Sequence, residues 1–134
     1  MAHKAARPLS PHLSIWRWGP HMLVSILHRV TGDGMAIVGG LLFITWLTTA
    51  AIGKECYDGF LWLLTGFAGG ALGYIVGIGL TWSFFEHMLS GLRHFVLDTG
   101  AGYELKTNKS WAQAIVIAAP ILTALVWSYF IFGR

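Results

Sequence analysis

Between Gly59 and Phe85 the chain reads GFLWLLTGFAGGALGYIVGIGLTWSFF, without one Asp, Glu, Lys, Arg or His. A run of this length and polarity is a candidate for crossing a hydrocarbon core, which takes roughly 20 apolar residues. Read as one helix, it is the longest of the chain's spans at about 40 Å, enough to tilt or to protrude on one side. Working outward, two more charge gaps follow, Gly34 to Gly53 and Ser110 to Gly133. The whole chain is 55% hydrophobic and 11% charged, with a mean hydropathy of +0.62; a soluble domain carries roughly a quarter charged residues. The expected fold is an all-α integral membrane protein with three transmembrane helices. An arm over residues 1–20 precedes a membrane domain over 21–134, with spans at about 30–53, 59–88 and 110–132.

The stretch Met1 to Arg17 is broken by Pro8, Pro11 and several polar residues, so it lacks the apolar core of a signal peptide and no cleavage is expected. Arg7-Pro8 and Ser10-Pro11 favour extended or turn backbone, while Trp16 and Trp18 suit a membrane interface. The single cysteine, Cys56, has no internal disulfide partner and no haem-attachment spacing, which excludes covalent c-type haem. The net charge of +3 is spread along the chain beside the spans, so a nucleic-acid partner is not expected. With a cytoplasmic N-terminus, Lys4, Arg7, Arg17, Arg29, Arg93, Lys106 and Lys109 lie inside, and Lys54 and Arg134 outside. That is the distribution the positive-inside rule favours.

Met22 to Arg29 has helical composition, and Thr31-Gly32-Asp33-Gly34 reads as a bend or break before the first span proper. Gly66, Gly70, Gly73 and Gly77 recur at helical spacing, which reads as close helix packing or the approach of a flat ligand. The third span, Trp111 to Phe132, carries Pro120 and no ionisable group, as expected of a packing and anchoring helix. There is no internal repeat and no low-complexity tail, so one domain is expected.

Two polar clusters interrupt this apolar background. Ser25, His28 and Arg29 share a helical face at i, i+3 and i+4, near the cytoplasmic start of the first span. His87, Gly91 and His94 share a face at the end of the second span, which returns to the same leaflet, so the two clusters are expected to meet. Ionisable groups at membrane depth usually face a protein interior or a cavity and mark function. Two readings of His87 stand side by side: an interfacial histidine bonded to a carbonyl or water, and an axial ligand of haem iron. His94 lies roughly 10 Å further along the axis, too far to share one iron, and a polar or propionate contact suits it better. A hydroxyl and a guanidinium at Ser25 and Arg29 could bind a quinone oxygen and the charge it gains on reduction; packing and interface anchoring are the plainer alternatives. His28 fits either site. Glu86 is expected to be solvated or paired at the helix end, with a proton-relay role as the sharper alternative.

Arg7-Pro-Leu-Ser-Pro-His-Leu, Ser25-Ile-Leu-His-Arg-Val-Thr-Gly and His87-x-x-x-Gly-x-Arg-His-x-x-x-Asp98 together resemble three signatures of the cytochrome b anchor subunit of succinate dehydrogenase, in order along the chain. The third span matches only in hydrophobicity, and Trp16 stands where the arm motif often continues to a tyrosine. The resemblance implies a multi-subunit helical bundle in a complex with a flavoprotein, an iron–sulfur subunit and a second small membrane anchor, carrying electrons from succinate to ubiquinone. It makes His87 one axial ligand of haem b, with the other from the partner anchor, and puts Ser25 and Arg29 in the quinone site. His28, His94 and Arg93 fall near the haem propionates, and the arm contacts the iron–sulfur subunit. A fumarate reductase anchor and a haem-free structural anchor or small transport subunit are the alternatives. The charge bias and absent leader fit a bacterial inner membrane better than a mitochondrial one.

Overall fold

A computed structural model describes residues 17–133 of the chain. The proline-bearing motif of the arm, with Lys4, Arg7 and Trp16, lies outside the described residues, as does Arg134. Three helices are long and apolar enough to cross a membrane, as the charge gaps predict. Helix α1 runs Pro20–Ile52, with Pro20 in its first turn, where a missing N–H costs nothing. Helix α2, Lys54–Thr65, is a short connector. Helices α3, Ala71–Asp98, and α4, Leu105–Phe132, complete the bundle. Helices α1, α3 and α4 pack on one another, while α2 leans against the second half of α1 and the start of α3.

Two expectations about the spans are corrected. The Thr31–Gly34 segment does not interrupt the first helix, which continues through it and widens into a π-helical turn at Met35–Gly39. Apolar Gly59–Phe85 is not a single helix. At Ala68, Gly69 and Gly70 the backbone takes φ of 51°, 69° and 82°, a left-handed run that glycine enters without the usual Cβ penalty. The chain turns there, so that the Leu64 carbonyl comes to lie against Gly73: a Cβ at that position would stand 2.4 Å from the oxygen. Gly66 and Gly70 thus belong to the turn, while Gly73, against α2, and Gly77 serve close helix packing as expected. A Cβ on Gly77 would meet the Trp127 ring at 2.8 Å, and that ring is held by an indole N–H donated to Thr81 Oγ1 at 3.2 Å.

The polarity of the bundle is inverted relative to a soluble protein. Its fully buried positions are small or polar, including Val24, Thr31, Glu86, Ser90, Ala112 and Ala119. Large apolar side chains such as Ile75, Phe95, Leu125 and Phe132 point outward. With lipid as apolar as leucine, helices gain little by burying leucine and associate through close backbone approach and interhelical hydrogen bonds.

The glycines on α3 separate packing from propensity. Gly77→Ala should destabilise the detergent-solubilised protein by about 1–3 kcal/mol through overpacking against Trp127. Gly79, with open space around it, should accept alanine with a gain of about 0.5–1 kcal/mol. Thermal unfolding of both variants checks the opposite signs.

Candidate functional site

Helices α1 and α3 run antiparallel, so residues early in α1 meet residues late in α3. The contact of His87 with α1 depends on Gly32: a Cβ there would lie 2.7 Å from Cε1 of His87 and 3.1 Å from its Nδ1. Without that carbon, the imidazole reaches the α1 backbone, and its Nδ1 lies 3.0 Å from the carbonyl oxygen of His28. A carbonyl only accepts, so Nδ1 carries the proton and donates. In the neutral ring with that tautomer the other nitrogen, Nε2, carries no proton and can bind a metal, as in many metal-bound histidines.

The two clusters expected to meet do so through their histidines. The rings of His28 and His87 stack with centroids 4.1 Å apart and planes 11° from parallel. His94 approaches His28 from the other side at 5.1 Å and 44°. Gly91 faces this group: a Cβ on it would stand 3.9 Å from Nε2 of His28. Among the described residues no three His, Cys, Asp or Glu side chains form a cluster able to hold a metal by themselves. The chain supplies stacked imidazoles, with one free nitrogen fixed on His87.

The remaining predicted residues fall in three different places. Ser25 lines an open groove of about 460 Å³ with Trp18, His21, Met22 and Ile26. Arg29 is exposed one helical turn further along α1 and does not line that groove. Arg93 is buried and turned to α4, where its terminal nitrogen donates to Asn108 Oδ1 at 2.6 Å, while its Nε is buried without a partner. Glu86 departs from the expectation of a solvated or paired helix-end residue. It is 1% exposed, and its carboxyl accepts from Thr31 Oγ1 and Ser90 Oγ, each at 3.0 Å.

Residue-by-residue reading missed Thr31 and Ser90, because an isolated hydroxyl in an apolar helix carries no signal of its own. The signal was present in the spacing: Glu86, Ser90, Arg93 and Leu97 recur at i, i+4, i+7 and i+11, and all four are buried. That stripe faces the bundle interior, beside the His87, Gly91, His94 stripe. The described Lys and Arg residues are divided between the ends of the bundle, Arg17, Arg29, Arg93, Lys106 and Lys109 at the histidine end and Lys54 at the other. Lys54 pairs with Asp58 in the one ion pair among the described residues.

The family model for the succinate dehydrogenase/fumarate reductase transmembrane subunit matches residues 3–126. The chain is 34% identical over 127 residues to a succinate dehydrogenase cytochrome b556 subunit of Paracoccus denitrificans, covering 92% of this chain and 91% of that one. It is 31% identical over 121 residues to the cytochrome b556 subunit of Rickettsia prowazekii, covering 90% of each chain. Against the mitochondrial cytochrome b560 subunit of Sus scrofa the identity is 33% over 120 residues, or 89% of this chain and 68% of that one. With three membrane-crossing helices, a histidine cluster at one end and these relatives over nearly its whole length, the chain belongs to the succinate dehydrogenase/fumarate reductase transmembrane subunit family, among its cytochrome b anchors.

Proposed function

We propose that the chain provides half of a bis-histidine haem b site and part of a quinone-reduction site, in a complex that passes electrons from succinate to ubiquinone. The observation that carries this reading is the His87 imidazole, its Nδ1 committed to the His28 carbonyl and its Nε2 free. His94, seven residues further along the same helix, lies too far on to share an iron with His87, and the family resemblance implies that the second ligand would come from the partner anchor. Haem, when bound, supplies a one-electron carrier within the membrane. The residues of this chain bind and orient it: His87 through Nε2, with His28 and His94 placed for polar contact at its edge. Arg93, turned to Asn108, would serve a propionate only by changing partner.

Ser25 and Arg29 are the residues we assign to the quinone. The groove beside Ser25 is lined mainly by Trp18, Met22 and Ile26, surfaces suited to a flat ring with a hydroxyl at one edge. Arg29, one helical turn further on, offers a permanent positive charge for oxygens that become more negative on reduction. Both sit at the end of the bundle where an iron–sulfur subunit with its flavoprotein would deliver electrons. The charge asymmetry supports placing that end in the cytoplasm of a bacterial cell, with the chain in the inner membrane.

His87→Ala should abolish or severely reduce the b-type signal in a dithionite-reduced spectrum of the purified assembly, while His94→Ala keeps most of it. An unchanged spectrum in the His87 variant, with all subunits present, would assign the ligand elsewhere.

Ser25→Ala and Arg29→Leu should each slow ubiquinone reduction, by on the order of a hundredfold where a protected donor to developing charge is lost, with Arg29 the larger effect. Succinate oxidation by an artificial acceptor that draws electrons from the soluble subunits should continue at the unaltered rate. Wild-type ubiquinone turnover in both variants would move the quinone elsewhere.

Orientation has a native reporter in Cys56, which is exposed on α2 at the end opposite the histidines. A thiol reagent that cannot cross membranes should label this chain in intact cells; labelling only after permeabilisation would invert the topology.

A further inference from the structure

We propose that Glu86, held between Thr31 and Ser90, is a positioning residue for His87, setting the hydrogen bond that orients the ring. The proposal rests on His87 being the haem ligand. All three side chains of the cluster are buried, Glu86 at 1%, Thr31 at 2% and Ser90 at 0% exposure. A buried carboxyl in a membrane bundle is retained only where its oxygens are satisfied, and here each oxygen has one hydroxyl donor.

The geometry connects this cluster to the site. Thr31 Oγ1 lies 3.0 Å from Glu86 Oε2, 2.7 Å from the Leu27 carbonyl and 3.2 Å from the His28 carbonyl. That last oxygen is the one that accepts from His87 Nδ1 at 3.0 Å. A chain of close polar contacts therefore leads from Glu86 past Thr31 Oγ1 and the His28 carbonyl to His87, the neighbour of Glu86 on α3. Thr31 has a single proton to place among three acceptors. When it goes to Glu86, the His28 carbonyl is left to His87, and α1 is tied to α3 one residue from the ligand. Interhelical hydrogen bonds in membranes are individually weak, so stability alone is a poor account of a buried carboxyl. The group bonded directly to a metal ligand, here the His28 carbonyl, fixes its tautomer and ring plane, and losing such a partner costs roughly tenfold or more in affinity; Thr31 and Glu86 act through that carbonyl.

The test uses the purified assembly carrying Glu86→Leu, Glu86→Gln, Thr31→Val or Ser90→Ala, with Trp127→Phe as control. The control removes a comparable interhelical hydrogen bond, the one from Trp127 to Thr81. Two quantities are read: the position of the low-spin ferric haem signal in electron paramagnetic resonance, and haem retained per complex, with subunit ratios determined separately by gel. Glu86→Leu and Thr31→Val should shift the signal and weaken haem retention on the order of tenfold. Ser90→Ala should shift it less, which keeps the test available if Glu86→Leu fails to assemble. Glu86→Gln, which still offers an acceptor and a donor, should restore both readings, and Trp127→Phe should change neither.

The proposal is overturned if Thr31→Val and Ser90→Ala both keep the wild-type signal, if glutamine does not rescue, or if Trp127→Phe shifts the signal as far. A failure of the underlying ligand assignment shows separately: His87→Ala would then keep the wild-type signal, leaving Glu86 nothing to position.

Discussion

The close approach of α1 and α3 at Gly32 is the constraint on which the rest of the site depends. Only a residue without a Cβ lets the His87 ring lie against the α1 backbone, and only there does Nδ1 reach the His28 carbonyl. That one hydrogen bond selects the tautomer, aims Nε2 and brings the His28 ring into register for stacking. A methyl group at position 32 would overlap the ring where it lies, so the imidazole would have to shift from this position. The local geometry of a single glycine thus couples helix packing to the chemistry of an imidazole some 55 residues away in sequence.

Membrane solvation explains why a small polar network can govern this fold. In water the exposed Ile, Leu and Phe side chains would drive collapse, but in lipid they are indifferent to one another, and the energy that distinguishes one packing from another comes from backbone contact and satisfied polar groups. Accordingly the interior of the bundle holds Thr31, Glu86, Ser90, Arg93 and Thr123. The outward apolar surface is available to lipid and to neighbouring subunits of the complex.

Much of this was legible in the residues. Charge gaps located the three membrane-crossing helices, and the antiparallel course of the first and second brought the histidines of both clusters together as their spacing implied. Two features were hidden for physical reasons. Composition does not distinguish a glycine that packs a helix from one that ends it, so the left-handed turn at Ala68–Gly70 looked like part of a continuous apolar span. Likewise Glu86 looked like a helix-end residue, because its burial depends on two hydroxyls that are separated from it by 55 and four positions. Only the pairing of helices reveals them.

The central claim is that His87 presents its Nε2 to haem iron while its Nδ1 stays on the α1 backbone. A density map of the assembled complex, at a resolution that places the imidazole planes, measures this most directly. The account predicts iron bonded to His87 Nε2, a second histidine from the partner anchor on the opposite face, and the Nδ1 hydrogen bond to His28 intact. Iron bonded instead to His28 or His94, or His87 turned away from the His28 carbonyl, would contradict it.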